Sequence, residues 1–273
     1  MLWFDGALRE GPVPFDLADR GLTLGDGVFD TALARHGRIL FEDAHVARLA
    51  AAAARLGFPV PPERIAMAMR ALAEEGLPLA AIRTTITRGS GPRGLAPPAE
   101  PRPVLWASSA PVGPGLAFSP LRLHPTAIRR NETSPGANLK TLGYLDAVLA
   151  AGEARAAGFD EALFLNTRGR VACAGTGNLF AVIDGILVTP PLADGVLPGI
   201  LRAEILLRAP RLGLPIAERS FDLAALLAAE AVFVTNSLRG LAPVTAIGAN
   251  AFASPAHPVL SALVADLRRD AFP

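Results

Sequence analysis

Lysine is almost absent from this chain of 273 residues: among its 26 Lys plus Arg, only Lys140 is lysine. Surface charge, solubility and carboxylate pairing are left to arginine throughout. A guanidinium does not lose its proton at usable pH and is a poor nucleophile, whereas a lysine amine can condense with an aldehyde or ketone. The one position that keeps lysine is therefore a candidate for chemistry that arginine cannot do. Cysteine is equally scarce. The single Cys173 excludes an intramolecular disulfide, and with it a disulfide-built scaffold and a cysteine-rich metal site. The four histidines, His36, His45, His124 and His257, lie far apart with no ligand-like spacing, which argues against a zinc site. Excess charge is missing too. A net charge of +1, with no long run of either sign, points away from nucleic acid or a membrane surface as partner. No uninterrupted apolar run is long enough to span a bilayer, and Met1-Leu2-Trp3-Phe4-Asp5-Gly6 lacks the basic-then-apolar order of a leader. The expectation is a cytoplasmic, soluble protein.

What is present is apolar mass. Hydrophobic residues make up 51% of the chain, enough for a sizeable core, and the length suits one large or two modest domains. Val28–Ala34 and Arg38–Phe41 flank His36-Gly37 as a hairpin. A helix follows from Glu42, with Val46, Leu49, Ala53 and Leu56 at helical spacing and Gly57 as its cap. A second helix opens at Pro61-Pro62 and ends near Gly76. Strands are expected over Ala81–Thr87 and Val104–Ser108, separated by a glycine- and proline-rich loop.

Pro111-Val112-Gly113-Pro114-Gly115 reads as a linker between residues 1–110 and residues 116–273. Beyond it, Leu116–Leu123, Glu161–Leu165, Asn178–Ile183, Ile186–Thr189, Val232–Thr235 and Val244–Ile247 read as strands. Helices are expected from Lys140 or Thr141 to Ala157, from Pro198-Gly199 to Gly213, after Asp222, and at the C-terminus. Local hairpins rather than regular alternation make the fold class α+β, in two domains.

Lys140 stands between the turn segment Ser134-Pro135-Gly136 and that expected helix, with Leu139, Leu142 and Leu145 as apolar neighbours. Helical spacing would place Tyr144, the only tyrosine, one turn away on the same face. Cys173 falls in the small-residue stretch Ala172–Gly177, which reads as a loop. Pro198-Gly199-Ile200-Leu201 opens a helix whose free amides attract an anion. Thr235-Asn236-Ser237 adds a hydroxyl and an amide at a strand end, and Arg48 adds a fixed positive charge.

These segments together are similar to class IV aminotransferases, the fold-type IV family of pyridoxal-phosphate enzymes. That family includes branched-chain and D-amino-acid aminotransferases and 4-amino-4-deoxychorismate lyase. The likeness rests on Asp19-Arg20-Gly21 with Gly25-Asp26-Gly27-Val28-Phe29, on His45-Val46-Ala47-Arg48-Leu49 and on Leu139-Lys140-Thr141-Leu142. Gly177-Asn178-Leu179-Phe180, Leu197-Pro198-Gly199-Ile200 and Thr235-Asn236-Ser237 complete it in the same order along the chain.

The resemblance implies pyridoxal 5′-phosphate as cofactor, with Lys140 as the catalytic residue that forms the Schiff base and moves the substrate proton. It places the phosphate on Arg48, the amides of Ile200 and Leu201, and Asn236-Ser237. Leu197 would pack on the pyridine ring and Tyr144 would lie near the ring hydroxyl. It also implies a homodimer acting on an amino-acid-type small molecule. One departure stands out: most members carry, where Cys173 stands, a glutamate that keeps the ring nitrogen protonated, and a protonated ring is the stronger electron sink.

For the substrate, Arg93 in Arg88-Gly89-Ser90-Gly91-Pro92-Arg93-Gly94-Leu95 resembles a carboxylate-binding arginine of the D-amino-acid enzymes. The histidine and tyrosine that accompany it there are Leu95 and Phe29 here. Asp30-Thr31, Arg129-Arg130-Asn131 and the stretch from Asn236 through Arg239 to Val244 look more like the lyase branch, with Thr31 facing substrate and Arg239 meeting a carboxylate. The expected activity is that of a deoxychorismate lyase. The alternatives are an aminotransferase on D-amino or branched-chain amino acids, and a protein that binds the cofactor with little turnover.

Overall fold

A computed structural model of the chain describes residues 1–270 and Phe272. It divides into two compact units, one of residues 1–114 with 139–143, the other of residues 115–138 with 144–273. Residues 139–143 thus group with the N-terminal unit, in contrast to a division into two continuous stretches.

In chain order the first unit has β1 (Leu2–Phe4), β2 (Ala7–Arg9), α1 (Arg20–Leu24), β3 (Gly27–Arg35) and β4 (Arg38–Ile39). There follow α2 (Glu42–Arg55), α3 (Pro62–Ala73), β5 (Leu79–Thr87) and β6 (Val104–Pro111). The strands form one antiparallel sheet in the order β2-β1-β6-β5-β3-β4. Alternation along a strand sends successive side chains to opposite faces. Val28, Ala32 and Ala34 of β3 with Ile82 and Ile86 of β5 line one face. They pack on Val46, Leu49 and Ala53 of α2 and Ile65, Met69 and Leu72 of α3. Removing a buried side chain of this kind, as in Leu49→Ala, costs about 2–5 kcal/mol. The other face of the sheet carries Phe29, Thr31, Arg83 and Thr85, and it positions the candidate site.

The second unit has β7 (Leu121–Arg130), α4 (Leu145–Ala156), β8 (Glu161–Asn166), β9 (Val171–Ala174), β10 (Asn178–Ile183) and β11 (Ile186–Thr189). It continues with α5 (Ile200–Arg211), β12 (Ile216–Glu218), α6 (Leu223–Leu227), β13 (Ala231–Asn236), β14 (Gly240–Ile247), β15 (Asn250–Ala251) and α7 (Pro258–Asp270). The strands run β12-β11-β10-β13-β14-β7-β8-β9, with β15 on β14, and β9 also pairs with β10. That last pairing closes six of the strands into a ring, which leaves those six without a free edge. The interior is filled by Leu121, Leu163, Val171, Leu179, Val188, Val232 and Val234, all buried.

Among the elements that differ from the sequence reading, three matter here. β7 begins at Leu121 rather than Leu116. Cys173 lies in strand β9 rather than a loop; its neighbours are too small to advertise a strand, but all four residues are buried. The helix expected from Lys140 begins only at Leu145, with Tyr144 as its cap. Residues 140–142 are instead held alongside β3, because Phe29 N–H donates to the Lys140 carbonyl at 2.9 Å and Leu142 N–H donates to the Gly27 carbonyl at 3.0 Å. Non-local backbone bonds outweigh local helical propensity there.

Candidate active site

In the N-terminal unit the site is built outward from β3. Gly27 is where the chain permits close approach. A Cβ there would lie 2.7 Å from both the Ile86 carbonyl oxygen and Leu142 Cδ1, so only glycine lets residues 139–143 lie flat on the strand. That contact places Lys140 beside Phe29, with its Nζ 4.4 Å from the ring centroid. The Arg83 guanidinium carbon is 3.5 Å from the same centroid. The ring face, negative in its quadrupole, suits both cations.

Arg83 pairs across the sheet with Thr31, and Phe29 with Thr85. Partners across strands point the same way, so Phe29, Thr31, Arg83 and Thr85 share a face. Arg83 escaped the sequence reading. Its signal was there, since Ala81–Thr87 alternates, but the register with Phe29 and Thr31 needs the fold.

Behind this face, Asp30 points the other way and is buried at 2% exposure. Its Oδ1 accepts from His45 Nδ1 at 2.8 Å and from the Thr31 N–H at 2.6 Å. Arg48 donates twice to the same carboxylate, Nε to Oδ2 and Nη2 to Oδ1, each at 2.8 Å. Burial alone would raise the Asp30 carboxyl. The bond from His45 and the charge of Arg48 overcome it and hold Asp30 well below the usual carboxylate range. The segment His45–Leu49 thus locks the Arg48 side chain by two parallel bonds.

The Asp19-Arg20-Gly21 and Gly25-Asp26-Gly27 segments form a brace. Asp26 Oδ2 accepts from Arg20 Nε at 2.9 Å and from Arg88 Nε at 2.7 Å. Arg20 then reaches the loop after β5, donating to the carbonyls of Gly94 at 3.0 Å and Leu95 at 2.9 Å. Arg93 is exposed at this loop's surface, and Leu95 is 82% exposed.

In the second unit, α5 begins at Ile200 without a side-chain cap, so its first amides remain available to a ligand. The turn before it is fixed by Asn178 Nδ2 donating to the Leu197 carbonyl at 2.9 Å. A Cβ on Gly199 would fall 1.9 Å from Asn178 Oδ1, so glycine is required where that amide passes. At the end of β13, Asn236 Oδ1 accepts from the Leu238 and Arg239 amides at 3.0 and 2.8 Å, folding the turn that carries Ser237. Asn236 Nδ2 donates to Thr176 Oγ1, whose residue in turn donates N–H to Glu161 Oε1 at 3.0 Å. Burial pushes the Glu161 carboxyl up, against its bond to Thr176 and the charge of Arg239.

Cys173 is buried, and its thiol is pushed up by burial while the neighbouring Arg130 pulls it down. Leu145 is 69% exposed at the start of α4. In the first unit, Phe29, Thr31 and Lys140 come together. In the second, Asn236 and Ser237 share one turn with Arg239, Leu197 precedes the Ile200–Leu201 helix start, and Cys173 and Tyr144 both act on Arg130. Among the described residues no helix is long and apolar enough to cross a membrane.

A sequence profile of the family described as amino-transferase class IV matches residues 27–247. Aminodeoxychorismate lyase of Vibrio harveyi is 32% identical over 263 residues, covering 91% of this chain and 92% of the relative. Branched-chain-amino-acid aminotransferase of Escherichia coli is 28% identical over 260 residues, 90% of this chain and 84% of the relative. Among solved structures, 4-amino-4-deoxychorismate lyase from Pseudomonas aeruginosa superposes with a TM-score of 0.89 at 34% identity, covering 99% of each chain.

Proposed function

The chain belongs to the class IV aminotransferase family of pyridoxal-phosphate enzymes, and from that premise we propose that it is a 4-amino-4-deoxychorismate lyase, releasing pyruvate and 4-aminobenzoate. The observation that carries the choice is the face of β3 and β5 turned away from α2 and α3. It presents an amine (Lys140), a guanidinium 3.5 Å from the Phe29 ring (Arg83) and a hydroxyl (Thr31) side by side.

The chain's residues fit the cofactor. The start of α5 has no side-chain cap, so its first amides can receive a phosphate, and the lone lysine provides the amine. Pyridoxal phosphate supplies an aldehyde that captures amines and a ring that draws electrons from the bonds of the captured carbon. Lys140 would hold the cofactor through its amine and would move the proton at the substrate carbon. The amides of Ile200 and Leu201, with Asn236 and Ser237, would hold the phosphate, and Arg48 would supply a positive charge to it. Leu197 would pack on the ring and Tyr144 would face its hydroxyl oxygen. Arg83 receives a substrate carboxylate, a role guanidinium suits by its forked donors. Arg93 and Arg239 offer further cationic contacts, Phe29 shields the amine from water, and Thr31 positions the departing group.

An aminotransferase is the second reading, favoured by the similarity to the Escherichia coli enzyme. The enzyme works as a homodimer in the cytoplasm. The exposed Leu145, Val148 and Leu149 on α4, at 69%, 63% and 53%, support self-association. Incubation with aminodeoxychorismate tests the main reading. Pyruvate and 4-aminobenzoate in equal amounts are expected. Failure to form them, together with conversion of the cofactor to its amine form by a D- or L-amino acid, would replace the lyase with the transaminase. A visible cofactor absorbance that no amine or amino acid alters would indicate binding without turnover.

A further inference from the structure

This inference rests on the reading of the chain as a pyridoxal-phosphate enzyme, and it concerns the C-terminal end of β7, where Arg130 is half-buried. Arg130, the last residue of β7, pairs with Asn166 of β8, while Phe164 of β8 pairs with Cys173 of β9. Paired residues point the same way and residues two apart share a face, so Arg130, Asn166, Phe164 and Cys173 project from one side of the sheet. The Arg130 guanidinium carbon is 5.1 Å from the Phe164 ring centroid, and the Cys173 thiol lies beside it, with Tyr144, the cap of α4, and Asp146 in its first turn also acting on its charge. Arg130 Nε is buried and has no hydrogen-bond partner, and among the described residues no carboxylate lies within ion-pair distance of this guanidinium.

A donor taken out of water and left idle is costly. The thiol is a poor acceptor, and its burial, reinforced by the charge of Glu161 on β8, keeps it uncharged at ordinary pH. This end of the unit therefore sets a fixed positive charge and a neutral thiol side by side, with the charges of Asp146 and Glu161 acting from outside hydrogen-bond reach. A group set against it must bring a lone pair and no proton. We propose that Arg130 donates a hydrogen bond to the ring nitrogen of bound pyridoxal phosphate and holds that nitrogen unprotonated. A protonated ring would place a second positive charge against the guanidinium, and like charges in a desolvated site disfavour protonation. The electron-withdrawing power of the ring falls accordingly. The reaction best served is one in which a leaving group carries the electrons away, which deepens the lyase reading over transamination.

The test is to reconstitute the full chain with cofactor labelled with 15N at the ring nitrogen and follow its chemical shift against pH. An unprotonated pyridine nitrogen resonates far downfield of a pyridinium. The wild type is expected at the unprotonated position throughout the range in which the protein stays folded. Arg130→Met should move the nitrogen toward the pyridinium position at the acid end, and Cys173→Glu should move it there across most of the range. A wild-type nitrogen already at the pyridinium position overturns the proposal, and needs no variant to do so. A cofactor-loaded Arg130→Met with an unchanged shift overturns it equally. Absence of visible cofactor absorbance and of a borohydride-trapped Lys140 in the wild type would instead overturn the cofactor reading on which it rests.

Discussion

Asp30 carries more of the site's order than its size suggests. It is buried, and it fixes Arg48, His45 and the backbone at Thr31 at once. Asp30→Asn removes a buried carboxylate that Arg48 bonds twice and is expected to cost about 3 kcal/mol or more in denaturant unfolding. The pH dependence follows from the lowered carboxyl. Its folded affinity for protons is below the unfolded value of 3.8, so its stabilisation is fully present above that value and fades as the pH falls from 3.8 toward the folded value. Unfolding curves should show wild type and Asp30→Asn furthest apart above about pH 5 and converging in strong acid. At Arg83 the expectation concerns substrate rather than stability. Arg83→Gln should raise KM for a carboxylate substrate about 10- to 100-fold, the equivalent of the ~1.5–3 kcal/mol of a hydrogen bond to a charged group, with the cofactor absorbance unchanged. An unaltered KM would remove Arg83 from the site. Cys173, buried and uncharged at ordinary pH, should resist alkylation in the folded enzyme and react fully only in denaturant.

The elements differ in how plainly the sequence announces them. Helix α2 was legible because Val46, Leu49 and Ala53 recur at helical spacing, and Gly57 ends it with a φ of +80°. The β3–β4 hairpin was legible because His36-Gly37 supplies two residues of positive φ. The strip around Lys140 was not. Its alanine-rich continuation suggests helix, and what makes it extended is a backbone bond to Gly27 from far earlier in the chain. Strand β9 was equally silent, since Val171-Ala172-Cys173-Ala174 is covered on both faces and has no alternation to read. The lysine itself was found from composition, while Arg83 and the Arg130–Cys173 pair needed the register between strands. At the start of α5, Gly199→Ala would drive Asn178 from its bond to the Leu197 carbonyl. Titration of the apo-protein with pyridoxal phosphate should then show affinity weakened by about tenfold, ~1.4 kcal/mol, with the Lys140 adduct still forming.

Taken whole, the chain is expected to sediment as a dimer. Leu149→Asp on the exposed side of α4 should shift it toward the monomer without altering the far-UV circular dichroism, and a wild type that sediments as a monomer would remove self-association from the reading. The grip of Arg20 on the loop after β5 has a different consequence. It holds Gly94 and Leu95 by their carbonyl oxygens, atoms that every amino acid possesses. The brace reads the path of the loop and is blind to its letters. Exchanges at positions 93 and 95 can therefore alter what the exposed side chains touch while the anchoring bonds persist, on a frame that does not have to be rebuilt each time.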